Sequence, residues 1–382
     1  MKTHVSQLTA EDELLVHQHH DTFASVSSSD PAWTERVYGW AGDTGGEVAV
    51  AFGISRYINR NVADGYGLVA IGKKQYSIRA SRRLYPEPNT VVVGPLRYEV
   101  VEPLKAVRCI LEPTDEQPIA FDVTLRGSAI PHTEHHTARQ GYRRSDDATR
   151  YMQIGRASGF VEVDGRSIDL KPDASISIRD HSWGIRSGIG RPTSDEKAPT
   201  GIAPDSRYRM LWTPGRLEGT SGEMHVHLAH WQATSKRGCH DENTTTIISP
   251  AGDLLHADTV HWNPAFLPDG SLQRIDVEVA IEDGSVHEFD VSPVGASRVF
   301  LGPALYGGFR GRYHGEDRGR LNIEGELIAD TTDPAIAAEL HQLSQEVGRI
   351  TDRSSGATGW CGIQYELVGR FPEYGLPERL YR

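Results

Sequence analysis

Ala174-Ser175-Ile176-Ser177-Ile178-Arg179-Asp180-His181-Ser182-Trp183-Gly184-Ile185-Arg186 begins as a strict alternation and ends in a dense run of chemistry. Successive strand side chains point to opposite faces. Period two therefore puts Ser175, Ser177, Arg179, His181 and Trp183 on one face and Ile176, Ile178 and Asp180 on the other. One face is expected to pack, and the other to present an imidazole, an indole and a guanidinium. A bulge at Gly184 would re-aim these side chains.

Strand-like runs of the same kind extend outward in both directions. Upstream they cover Glu47 to Tyr57, Tyr66 to Gly72, Gln75 to Arg83, Leu96 to Val101, Val107 to Leu111, Ile119 to Ile130 and Tyr151 to Val163, separated by Gly, Pro, Asp or Asn. Eight or so consecutive strands suit a closed antiparallel barrel. Gly188, Gly190, Pro192, Pro199, Gly201 and Pro204 mark an interdomain crossing. A second series follows: Tyr208 to Thr213, Glu223 to Trp231, Thr244 to Ile248, Ile275 to Ile281, Glu288 to Ser292, Asn322 to Ala329 and Trp360 to Phe371. Asp333-Pro334 opens a helix whose stripe of Ile336, Leu340, Leu343, Val347 and Ile350 needs burial, with the outside of the second barrel the expected surface. A shorter helix is expected after Thr9. The fold class is mostly β: two tandem lipocalin-like antiparallel β-barrel domains (1–190 and 207–382), a linker at 191–206, and a late amphipathic helix.

With 382 residues the chain has ample material for two cores. Its formal charge of −12 argues against a nucleic-acid partner. Cys109, Cys239 and Cys361 are too far apart for a CxxC motif and odd in number, which suits a reducing, cytoplasmic setting. There is no export signal near the start and no apolar run of about 18 residues, so no transmembrane segment is expected. A homodimer is compatible with the sequence. Neither a GxGxxG or GxxxxGK[ST] phosphate loop nor a Gly-x-Ser-x-Gly nucleophile elbow is present.

Asp180-His181-Ser182-Trp183-Gly184 resembles the Asp-His-x-Trp-Gly signature of the AttH-like and carotenoid 1,2-hydratase-like superfamily. Gln153-Ile154-Gly155 with Ser158-Gly159 and Val163-Asp164-Gly165 is similar to its bacterial members. So are Gly94-Pro95-Leu96-Arg97-Tyr98 with Glu102-Pro103, and Tyr313-His314-Gly315 with Glu324-Gly325-Glu326. The resemblance implies tandem lipocalin-like domains with a hydrophobic pocket, inside the first barrel or where the two meet. It also implies relatives that hydrate isoprenoid alkenes or a phytoalexin, or promote polyketide cyclisation. Where carotenoid hydratases carry Tyr-x-Asp, this chain reads Tyr208-Arg209-Met210. The tyrosine matches and the acid is missing, which demotes carotenoid hydration.

The candidate catalytic residues are His181 as general acid/base, with Asp180 and Tyr208. Trp183, Arg179, Arg186, Met210 and Trp212 are candidate substrate contacts. Trp183 offers a π surface to a cation, and the arginines offer a polar anchor. In a regular strand Asp180 points away from His181, and a scaffold pairing with Arg186 competes with a catalytic role. Tyr208, Met210 and Trp212 alternate onto one face of the strand after the linker. His225-x-His227 is a possible zinc pair without a third ligand fixed by the sequence. His132, Glu134, His135 and His136 read as a solvated turn. The expected protein is a cofactor-independent, metal-free lyase or isomerase of hydratase, dehydratase or cyclase type. Its expected substrate is a hydrophobic isoprenoid, steroid-like or polyketide molecule, turned over by proton transfer in a dry pocket. The alternative is a noncatalytic carrier of such a ligand.

Overall fold

Trp33–Asp43, Ser175–Ile185 and Arg143–Val163 lie side by side at the centre of a thirteen-stranded antiparallel sheet in the computed structural model. The structure describes residues 15, 22–87, 91–140, 143–191, 206–236, 238–340 and 343–376. The helix expected after Thr9 and nearly all of the expected linker lie outside the described residues.

From the centre this sheet runs through Val48–Tyr57, Val62–Ile71 and Lys74–Arg83 on one side. On the other it runs through Ile119–Gly127, Ala106–Leu111, Leu96–Glu102 and Val92–Val93. It curls on itself, because Ile78 and Ala80 near one end share a core with Val93, Leu96 and Tyr98 near the other. The second sheet closes. Arg207–Gly219 pairs with Thr358–Val368, and the ladder continues through Ser344–Asp352, Val286–Phe300, Leu272–Ile281, Leu254–Phe266 and Thr246–Ile248 to Gly222–Ser235, which pairs back onto Arg207–Gly219. Its interior holds Leu211, Val226, Ile275, Phe289 and Ile350. The mostly-β, tandem antiparallel architecture is the one the sequence implies, and no described helix is long and apolar enough to cross a membrane.

A third core joins the two sheets. Trp40, Met152, Ile176 and Ile178 from the first meet Met210, Trp212 and Val347 on the outside of the second. The isoleucine face of the central strand therefore packs against the other sheet, and this places the site.

Three expectations change. Among the described residues the end strands of the first sheet, Leu321–Ile328 and Val92–Val93, do not pair with each other, so it is a half-barrel rather than the closed barrel expected. The late helix is one short segment, Pro334–Leu340, and Ser344–Asp352 is a strand paired on both sides. Pairing on both edges overrides the helical spacing. Val347 and Ile350, one stripe in a helix, go to opposite faces, Val347 to the joint between the sheets and Ile350 to the barrel interior. Leu340 packs with Leu305, Phe309 and Ile328 rather than on the second barrel. The run expected at Asn322 to Ala329 in the second series is Leu321–Ile328, which joins the first sheet at Lys74–Arg83.

Candidate functional site

Register alone decides what each face of the central strand presents. Asp180 sits directly opposite Tyr38 on one neighbour and Met152 on the other, while Ser182 sits opposite Arg36 and Arg150. Opposed residues share a face, so the Asp180 carboxyl stands in a row one step from two guanidiniums. The ladder stays in register through Gly184, and no bulge re-aims the motif. At φ +130° Gly184 holds a backbone conformation that L side chains rarely adopt, and a Cβ there would meet Asp147 O at 2.2 Å.

This face borders a cavity of about 600 Å³ between the sheets. The first sheet contributes Arg36, Tyr38, Arg150, Asp180 and Arg186; the second contributes Tyr208, Met210 and Trp212 from alternate positions of Arg207–Gly219. Asp180 keeps some accessible surface because it borders the cavity, yet protein surrounds it, and among the described residues no hydrogen bond reaches its carboxyl. Burial raises its pKa above the usual carboxylate range, opposed by the charges of Arg150, Arg186 and Arg36. Arg150 is committed to Glu134 and lies 5.4 Å from the Trp212 ring centre. Arg36 donates from Nε to Ser55 Oγ at 2.8 Å and stacks 5.0 Å over Tyr306. Arg186 donates to Ser182 Oγ at 2.9 Å rather than pairing with Asp180.

The opposite face carries a different constellation. His181 is opposite Val37 and Tyr151, and Trp183 is opposite Glu35. His181 Nε2 lies 3.0 Å from Glu35 Oε1, and its Nδ1 lies 3.4 Å from the Tyr151 hydroxyl. The Trp183 ring stands edge-on to His181 at 5.4 Å and is 39% exposed. Arg179 is buried, with Nε and Nη2 both donating to Gln153 Oε1 at 3.0 and 2.7 Å. Asp180, Arg186, Tyr208, Met210 and Trp212 thus converge on one cavity, and His181, Trp183 and Arg179 do not line it. The geometric expectation inverts: the face read as packing holds the hollow, because a second sheet covers it while leaving a gap around Asp180.

Residues 8–255 match the model of a family of unknown function, DUF8625. The chain belongs to that family. Among curated proteins none matches it. Solved structures similar to this DUF8625 chain include a candidate AttH from Nitrosomonas europaea, at 12% identity and a TM-score of 0.45, covering 87% of this chain and 91% of that one. Kievitone hydratase from Nectria haematococca is similar at 12% identity and a TM-score of 0.42, with 94% and 96% covered. CghA, solved with Sch210972, is similar at 11% identity and a TM-score of 0.44, with 88% of each chain covered.

In this DUF8625 chain the Glu35–His181 contact stabilises the ionised carboxylate. Burial raises the Glu35 pKa, but the His181 hydrogen bond and the Arg56 guanidinium outweigh it and bring the carboxyl down to about 2. A folded-state value below the unfolded value of ~4.3 gives stability that is present above that value and lost as pH falls toward 2. Denaturant titrations of wild type and Glu35→Gln should differ by at most about 3 kcal/mol at neutral pH. The gap should close between pH 5 and pH 2; a gap that stays constant over that range would show that Glu35 is not held this way.

Sequence reasoning missed Arg36 and Arg150, and placed Glu134 in a solvated turn. Arg36 lies in Trp33–Asp43, a strand whose inward row of Thr34, Arg36, Tyr38 and Trp40 mixes a charge with aromatics and so lacks a clean alternation. His132–Gln140 is a strand, not a turn, and Glu134 is buried because the second barrel covers it. The period-two row His132, Glu134, His136 was the available signal. His225 Nε2 is 2.9 Å from Glu223 Oε1, whereas His227 Nδ1 turns to Glu134 Oε1 at 3.3 Å.

Proposed function

We propose that this protein is an enzyme of the lyase or isomerase type, and that it moves a proton on a small, largely apolar molecule bearing an anionic or electron-rich oxygen. The observation that carries this reading is the Asp180 carboxyl: half-buried, without a hydrogen-bond partner among the described residues, and on the wall of a cavity of ligand size. Burial keeps the proton on this acid to a higher pH than an ordinary aspartate allows, which suits a general acid working on an alkene, enol or carbinol.

Tyr208, Met210 and Trp212 serve as the apolar wall. Arg36 and Arg186, which have no carboxylate at contact distance among the described residues, serve as the anchor for the substrate oxygen. Hydration, dehydration and cyclisation all fit a half-buried acid beside an oxyanion anchor, where the surrounding protein lowers the local dielectric and strengthens each charged contact. His181, with Glu35 and Tyr151 on the reverse face, holds the central strand and so positions Asp180.

Paired fluorescent probes test the anchor: 1-anilinonaphthalene-8-sulfonate, which is anionic, and N-phenyl-1-naphthylamine, its neutral counterpart. Wild type is expected to prefer the sulfonate, and Arg186→Met to lose that preference by about 10-fold or more, the scale of one charged hydrogen bond. Equal loss of both probes, or no loss of either, would remove Arg186 from the anchor.

A further inference from the structure

Beside the cavity, behind Arg150 and Trp212, three side chains from two sheets point their polar atoms at one another. His132 and Glu134 come from His132–Gln140, which pairs with Arg143–Val163 in the first sheet, and His227 comes from Gly222–Ser235 in the second. Their ligand atoms all lie within 4.8 Å of one another. Glu134 Oε1 is 3.6 Å from His132 Nε2 and 3.3 Å from His227 Nδ1. All three of these atoms are buried without a hydrogen-bond partner among the described residues. The Glu134 and His227 side chains are only 3% and 4% exposed.

Buried polar atoms left unpaired lose their hydration without compensation, so a cluster of them on one point calls for a shared partner. The spacing says which. Zinc bonds to nitrogen and carboxylate oxygen at about 2.0–2.2 Å in tetrahedral sites, which sets neighbouring ligand atoms roughly 3.3–3.6 Å apart. That is the spacing found around Glu134 Oε1. The surroundings are also those of a metal site. Thr246 Oγ1 lies 3.3 Å from His132 Nδ1, so a proton on Nδ1 leaves the Nε2 lone pair facing the cluster. Arg150 holds the other Glu134 oxygen, fixing the carboxylate plane. The Trp212 ring stands edge-on to His227 at 5.9 Å.

We infer that His132, Glu134 and His227 bind one divalent transition metal of the zinc class, with a water completing four ligands. The ion clamps the edge strand of the first sheet to the second barrel. Through Glu134 it also fixes Arg150 on the cavity wall. This is independent of the role given to Asp180, and in place of a metal-free chain with a possible His225–His227 pair it puts a site built on His227 with His132 and Glu134.

The test uses the full chain, stripped with a chelator, dialysed, and reloaded with ZnCl₂ or CoCl₂. Metal analysis is expected to give about one equivalent of zinc. Cobalt is expected to give the intense visible bands of a four-coordinate site. Glu134→Gln and His227→Gln should weaken zinc binding at least 10-fold, and His132→Gln, at a half-buried position, supplies the same reading if the buried variants do not fold. His135→Ala, an exposed histidine on the same strand, should keep full occupancy. Less than a tenth of an equivalent in wild type would overturn the site. So would unchanged binding in folded His132→Gln or His227→Gln, or binding that depends on His135.

Discussion

Asp180→Asn is expected to lower turnover by about 10²–10⁴-fold, the usual yield of a positioned general acid, while changing probe affinity only severalfold. The isosteric amide keeps the volume and the cavity wall and removes only the transferable proton. Turnover is to be read on amphiphilic alkenes, polyenes and enols that carry a carboxylate or phenolate. The pH profile of the wild type should fall as pH rises through the raised Asp180 value, because the active form is the protonated one.

The same substitution separates chemistry from folding. A carboxyl whose folded-state pKa is raised binds its proton more tightly when folded than unfolded, so the native state loses stability as pH rises above the unfolded value. Asn cannot ionise, and the variant should therefore be at least as stable as wild type at pH 7. Equal product from both proteins would remove Asp180 from the mechanism. A larger loss in His181→Ala than in Asp180→Asn would return the chemistry to the reverse face. Binding without turnover in wild type would make the protein a carrier.

Trp40→Ala should carry the largest cost in stability, about 3–5 kcal/mol, seen as a lower urea midpoint with little change in slope. Trp40 is fully buried where the sheets meet. Its ring approaches so closely that a Cβ built on Gly362, in the second sheet, would lie 3.1 Å from it. Removing the indole deletes a large apolar surface and leaves a hole that the sheets on either side cannot close. A change under about 1 kcal/mol would mean that the sheets do not rely on this contact. An early transition confined to one sheet would mean that they unfold separately.

What the sequence made legible was local. The alternation from Ser175 to Trp183 gave the faces of the central strand correctly, and Tyr208, Met210 and Trp212 do share a face and do line the cavity. What it could not say was which face meets the other sheet. Isoleucines and an aspartate on one side, and an arginine, a histidine and a tryptophan on the other, read as core against site. The same pattern arises when an apolar face is half covered by a neighbouring sheet that leaves a hollow at its polar end. Partners distant in sequence were invisible for the same reason: Glu35 is 146 residues from His181. Glu134 and His227 meet only because an edge strand of one sheet lies against the other.

The central claim is that the hollow beside Asp180 is where ligand binds, and a crystal structure with 1-anilinonaphthalene-8-sulfonate tests it most directly. The account predicts the rings against Met210 and Trp212 and the sulfonate turned to Arg36 and Arg186, within reach of the Asp180 carboxyl. Density for the probe beside Trp183 and His181, with water alone next to Asp180, would contradict it.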